Sequence, residues 1–141
     1  MKNPARLKEY AAKFDAECRA NKALTSLYMT WAKQDAVSRQ REITAAYEDA
    51  ARDINALVVP VGVAWQKAMQ MQRELVLYDR DKSHPSMAGT YLAACVFYGK
   101  LFGKTPVGLP SEGISATDAA TIQEAAWKVC SGGNECRSTE R

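Results

Sequence analysis

Two short apolar runs, Leu24-Thr25-Ser26-Leu27-Tyr28-Met29-Thr30-Trp31 and Leu57-Val58-Val59, constrain this chain most. Each is rich in residues that suit a strand and too short for a buried helix. Helical periodicity surrounds both. Asn3-Pro4 reads as an N-cap with proline at the first helical position, and Leu7, Tyr10, Ala11, Phe14 and Cys18 then mark one helix face to about Asn21. Between the runs, from about Val37 to Asn55, Ile43, Ala46, Tyr47, Ala50 and Ile54 mark another. A third helical stretch opens near Val63, past Pro60-Val61-Gly62, with Trp65, Ala68 and Met69 inward. Helix and strand in alternation is the pattern of α/β units, whose crossover helices cover a mostly parallel sheet.

Leu75-Val76-Leu77 offers a possible third strand. Beyond it, Tyr91, Ala94, Cys95, Tyr98, Leu101 and Phe102 share a helix face, Leu92, Val96 and Phe97 make that helix apolar almost all round, and Gly103 is placed to end it. A turn-rich connector over 105–113 leads to Ser115-x-x-Asp118, a capping box that opens a last helix with Ala119, Ile122, Ala126 and Val129 inside. The chain divides at residue 110: a main domain over 1–110, then a C-terminal helix and flexible tail over 111–141. Two or three strands are few for a parallel sheet, which normally has both faces buried. The remaining strands are expected before Met1.

With 141 residues, 47% hydrophobic and 25% charged, the chain reads as one globular domain able to bury about two-thirds of its unfolded surface. Its 19 basic and 16 acidic side chains, net +3, are interleaved along its length, which argues against a nucleic-acid partner. No apolar run approaches the roughly 20 residues of a membrane span, and the first residues lead into an amphipathic pattern and not a signal-peptide core. The expectation is a soluble chain without membrane contact, its compartment open. Cys18 and Cys95 read as small core hydrophobes; Cys130 and Cys136, with five residues between them, either close a small disulfide loop or stay free.

Chemistry concentrates in Asp81-Lys82-Ser83-His84-Pro85-Ser86, which holds the chain's one histidine with a carboxylate three residues before it. Asp81 can reach the imidazole and fix its tautomer, making His84 a general base and Asp81 its orienter. On composition alone the same pair reads more readily as a cap or a solvated loop. Asp79, Asp81 and His84 with Arg80 and Lys82 between them make a poor metal site, and no metal or other cofactor is expected.

With its flanks, from Leu77-Tyr78-Asp79-Arg80 to Gly89-Thr90-Tyr91-Leu92-Ala93-Ala94, this loop resembles the last sequence block of the SGNH (GDSL-type) hydrolases. Leu27-Tyr28-Met29-Thr30-Trp31-Ala32, Val59-Pro60-Val61-Gly62-Val63-Ala64-Trp65, Tyr91 to Tyr98 and Phe102 to Leu109 continue the resemblance, which spans roughly residues 5–110. It implies a three-layer, flavodoxin-like α/β/α sandwich, present in part, and a Ser-His-Asp triad to which this chain gives His84 and Asp81. Ligands in open α/β sheets bind beyond the carboxyl ends of the strands. Thr30, Trp31 and Trp65 lie there and are the candidate substrate-binding residues for an acyl ester or acylated carbohydrate, with core packing the alternative for both tryptophans.

The chain departs from the family pattern at the nucleophile. It has no Gly-Asp-Ser near a strand end, no Gly-x-Ser-x-Gly, and no Gly-x-Asn-Asp segment for an oxyanion hole. Ser83 and Ser86 read as a turn residue and an N-cap, and Ser131-Gly132-Gly133-Asn134 as the end of a helix. Lys82 stands where the family loop commonly has glycine. The serine is therefore expected from elsewhere, a separate N-terminal chain included, and the isolated chain is expected to be inactive. The rival reading is a non-catalytic remnant or interaction module whose open sheet edge invites self-association.

Overall fold

The structure is a computed structural model that describes residues 3–132. Helix α1 (Pro4–Ala20) opens as its first residues dictate, with the Asn3 side chain accepting from the Arg6 amide at 3.1 Å and Pro4 in the first turn. Strand β1 (Ser26–Tyr28) pairs in parallel with β2 (Leu57–Val59), Ser26 opposite Leu57 and Tyr28 opposite Val59. A 3-10 helix (Gln34–Arg39) and helix α2 (Gln40–Ile54) cross between them. The chain is thus α/β, mostly helical, around a parallel sheet of two strands.

The first strand is shorter than its apolar run. Leu24 is 97% exposed, and beyond Tyr28 one more residue stays tied to the sheet: the Met29 amide donates to Val59 and its carbonyl accepts from Gly62, both at 3.0 Å. The helix expected from Val37 begins as 3-10, with a kink at Ala36. Helix α3 (Val61–Met71) follows β2 directly, earlier than expected, with Pro60 at its N-cap. Leu75–Leu77 is no strand. Leu75 and Leu77 are buried and Val76 is 70% exposed, the in-out pattern of a strand, but among the described residues no strand pairs with it.

Helix α4 (Met87–Phe102) is capped by Ser86, whose hydroxyl accepts from the Gly89 amide, and closed by Gly103 in the left-handed region at φ 63°. Its buried face differs from the expected one. Leu92, Cys95, Val96 and Gly99 are buried, whereas Ala94, Leu101 and Phe102 are exposed. Helix α5 (Ala116–Ser131) starts at the Ser115 cap and buries Ala119, Ile122, Ala125, Ala126 and Cys130.

One core joins Val59 and Val61 to Trp65, Leu77, Leu92, Val96, Ile122 and Cys130. Helix α5 belongs to that core, so the division at residue 110 does not separate two of them. Helices α3, α4 and α5 pack on one another, α1 packs on α2, and β2 touches both α2 and α4. Cys95 and Cys130 are buried and Cys18 is half-buried; burial pushes the Cys95 thiol up to about 11. Cys136 and the proposed pairing with it lie outside the described residues. Among the described residues no helix is long and apolar enough to cross a membrane.

Candidate active site

The segment between Leu75–Leu77 and α4 is a tight loop pinned at its base. Tyr78 and Pro85 form an antiparallel bridge, the Asp79 amide donates to the His84 carbonyl, and the Ser86 amide to Leu77, each at 2.9 Å. Lys82 turns the tip with φ 61°. A side chain is strained there by about 1 kcal/mol or more, which is why glycine would suit the position.

Asp81 organises the tip. Its Oδ1 accepts from the backbone amides of Ser83 and His84, both at 2.9 Å, an Asx-type turn that fixes the carboxylate. Oδ2 is thereby aimed at His84 Nδ1, with which it is hydrogen-bonded. The hydrogen bond from His84, followed by those two amides, holds the Asp81 carboxyl well below the usual carboxylate range. An ionised carboxylate only accepts, so the proton lies on Nδ1 and a neutral His84 presents a bare Nε2. The same hydrogen bond and the Asp81 charge raise the pKa of His84, helped by Asp79 and opposed by desolvation and Lys33. The His84 side chain is 79% exposed and Asp81 48%, and Nε2 has no hydrogen-bond partner among the described residues. The pair is an oriented imidazole–carboxylate couple open to solvent.

Of the candidate substrate-binding residues, Trp31 is half-buried beneath the loop. Its Nε1–H donates to the Ser83 carbonyl at 3.0 Å, and its ring stacks on Trp65 with centroids 4.0 Å apart and planes 11° apart. Trp65 is 1% exposed. It supports Trp31 and has no surface to offer a ligand. The Thr30 side chain is exposed while its carbonyl accepts from Gln40 at 3.3 Å. The structure therefore brings Asp81, His84 and Trp31 together and places Trp65 behind them.

The hydroxyls of Ser86 and Ser131 are engaged in structure, and Ser83 serves the loop through its backbone. Ser86 Oγ donates to the Val76 carbonyl at 2.7 Å while accepting from Gly89, which commits its one proton to the backbone. Ser83 uses its amide on Asp81 and its carbonyl on Trp31. Ser131 Oγ donates to Trp127 at the end of α5. A cavity of about 950 Å³ lies at the opposite end of the strands, lined by Asp15, Arg19, Thr25, Leu57 and Lys100 among others, and does not reach His84. Among the described residues no three potential ligands gather to hold a metal.

Sequence reasoning missed Gln40, 1% exposed, whose Oε1 accepts from the Ala32 amide at 2.7 Å while Nε2 bonds Thr30. It also missed Gln123, 5% exposed, which holds Gly108, Leu109 and the Tyr91 hydroxyl. A glutamine at a helix start ordinarily signals surface, and only the position of Gly62 hints otherwise.

No protein-family profile matches the chain, and no curated protein matches it either. A solved structure, a DUF4886 family protein from Bacteroides uniformis ATCC 8492, is similar with a TM-score of 0.69 and 21% identity. The match covers 82% of this chain and 51% of that one. The likeness is one of fold, and the chain spans about half the length of that relative.

Proposed function

We propose that this chain is the Asp–His portion of an SGNH-type ester hydrolase acting on an acyl ester, an acylated carbohydrate being the substrate class the Trp31 surface suits. His84 is the base and Asp81 its orienter. The observation that carries the reading is the Asp81 carboxylate, locked by two backbone amides and aimed at Nδ1. In such a reaction Nε2 would take the proton of a serine hydroxyl as that oxygen attacks the ester carbonyl, and then return it to the departing alcohol. Asp81 stays ionised throughout and stabilises the imidazolium. The serine and the oxyanion donors come from a polypeptide segment outside this chain. In that reading the sheet continues beyond β1 within a three-layer α/β/α sandwich.

Hydrolysis of an aryl acetate tests this. The chain alone should match a His84→Ala control. Mixed with the polypeptide encoded directly upstream, it should gain activity that His84→Ala lowers by about 10²-fold or more. Activity of the isolated chain abolished by His84→Ala would place the nucleophile within it.

Exposed Tyr10, Phe14 and Leu24 support a second reading, an interaction module that associates with itself or a partner. A compact monomer in size-exclusion chromatography would count against that.

A further inference from the structure

We infer that Gln40 is a positioning residue for the base, acting through Trp31 to hold the Asp81–His84 loop in place. Burying a primary amide is costly unless its donors and acceptor are used, and Gln40 uses both ends of its own. Oε1 accepts from Ala32 and Nε2 donates to Thr30, with Thr44 Oγ1 also in reach at 3.5 Å. One side chain thus clasps the backbone on both sides of Trp31, where the chain has left β1 and has no strand neighbour to bond. Gly62 keeps the space open. A Cβ there would sit 2.2 Å from Gln40 Nε2 and 2.3 Å from the Thr30 carbonyl.

The clasped segment grips the base loop at two points, and the start of the 3-10 helix just after it adds a third. Trp31 Nε1–H donates to Ser83 at 3.0 Å, the Tyr78 hydroxyl donates to Ala32 at 2.8 Å, and the Gln34 amide donates to Lys82 at 2.9 Å. The first falls on the residue before His84, inside the turn that Asp81 closes. Stacking of Trp31 on the fully buried Trp65 fixes that donor against the core. Gln40 touches neither imidazole nor carboxylate, so its effect on them passes through this segment.

The inference rests on His84 as the base for its meaning, but its test reads the loop directly. His84 is the only histidine, so its imidazole gives one clean NMR titration in the full chain. The charged groups facing it are Asp81, Asp79 and Lys33, and the variants alter none of them. Gln40→Met keeps bulk and loses both bonds. Trp31→Phe keeps the stack and loses the donor. Each should lower the His84 pKa toward its ordinary value and weaken the Nδ1–H signature. The double variant should go no lower than Trp31→Phe alone, since residues acting in series are not additive. An unchanged titration in a folded Gln40→Met chain, or additive shifts in the double variant, would overturn the proposal. Should Gln40→Met fail to fold, an unchanged titration in Trp31→Phe overturns it equally. Failure to find hydrolysis in any pairing would sink the esterase reading and leave these shifts where they are.

Discussion

The half of the molecule beneath the base loop and the half around α1 and β1 are built to different standards. Under the loop, Trp65, Leu77, Leu92, Val96 and Ile122 are all but inaccessible, and α3, α4 and α5 close on them. Around α1, the buried apolar residues of the two packed helices are alanines, Ala11 from α1 and Ala46, Ala50 and Ala51 from α2, while Tyr10 is 45% and Phe14 67% exposed. Thr25 and Met29 bond across to β2, so Ser26 and Tyr28 turn their backbone groups to an edge that, among the described residues, no strand covers. The contrast teaches where each kind of completeness was needed. A loop that keeps one imidazole in a fixed orientation takes a dry, close-packed foundation. The open edge has no such duty within this chain, and it is the side on which a further strand could add.

Truncating one large aromatic on each side should separate the two halves most. Trp65→Ala should cost about 3–5 kcal/mol in urea unfolding, whereas Phe14→Ala should stay within about 0.5 kcal/mol. Equal costs would mean that α1 is covered in solution. Next comes the joint between the halves. Gly62→Ala must displace Gln40 or the Thr30 carbonyl, and an overpacked site of this kind costs about 1–3 kcal/mol. A neutral result would show the clasp to be slack. Lys82→Gly tests the loop itself, since relief of the left-handed strain at φ 61° opposes the extra freedom of an unfolded glycine, for a net change within about 1 kcal/mol.

The smallest effect is one of pH on the open side. Hydrogen bonds from Arg19 and then Thr25 lower the pKa of Asp15 below its ordinary 3.8, tying α1 to the start of β1. A lowered folded pKa gives stability that is present above about pH 3.8 and lost as pH falls through the lower value. Asp15→Asn should therefore flatten the acid limb of the stability profile, and an unchanged limb would show the tie to be idle. His84 has the opposite sign. Its raised pKa contributes stability fully present below 6.5 and lost as pH rises through the higher value.

Local signals were legible and nonlocal ones were not. Asn3-Pro4, Ser86, Gly103 and Ser115 cap the helices the sequence led one to expect, and Leu57–Val59 is a strand to the residue, because caps and turns are written within a few neighbours. Leu75–Leu77 has the alternation of a strand without a partner, and pairing is a property of two segments. Tyr10 and Phe14 share a face as their spacing requires, yet spacing says nothing about whether that face is covered. Asp81 and His84 meet as expected from three-residue separation on a loop. Gln40 was hidden, since its role depends on a carbonyl, an amide and a glycine that only folding gathers.

The most direct test of the account is the NMR titration of His84 in the native chain against Asp81→Asn. The native chain should show a pKa above the ordinary histidine value and a neutral form protonated at Nδ1, with the pKa falling when Asp81 becomes asparagine. An ordinary pKa with the proton on Nε2, unmoved by Asp81→Asn, would contradict the claim that this loop is a preoriented base.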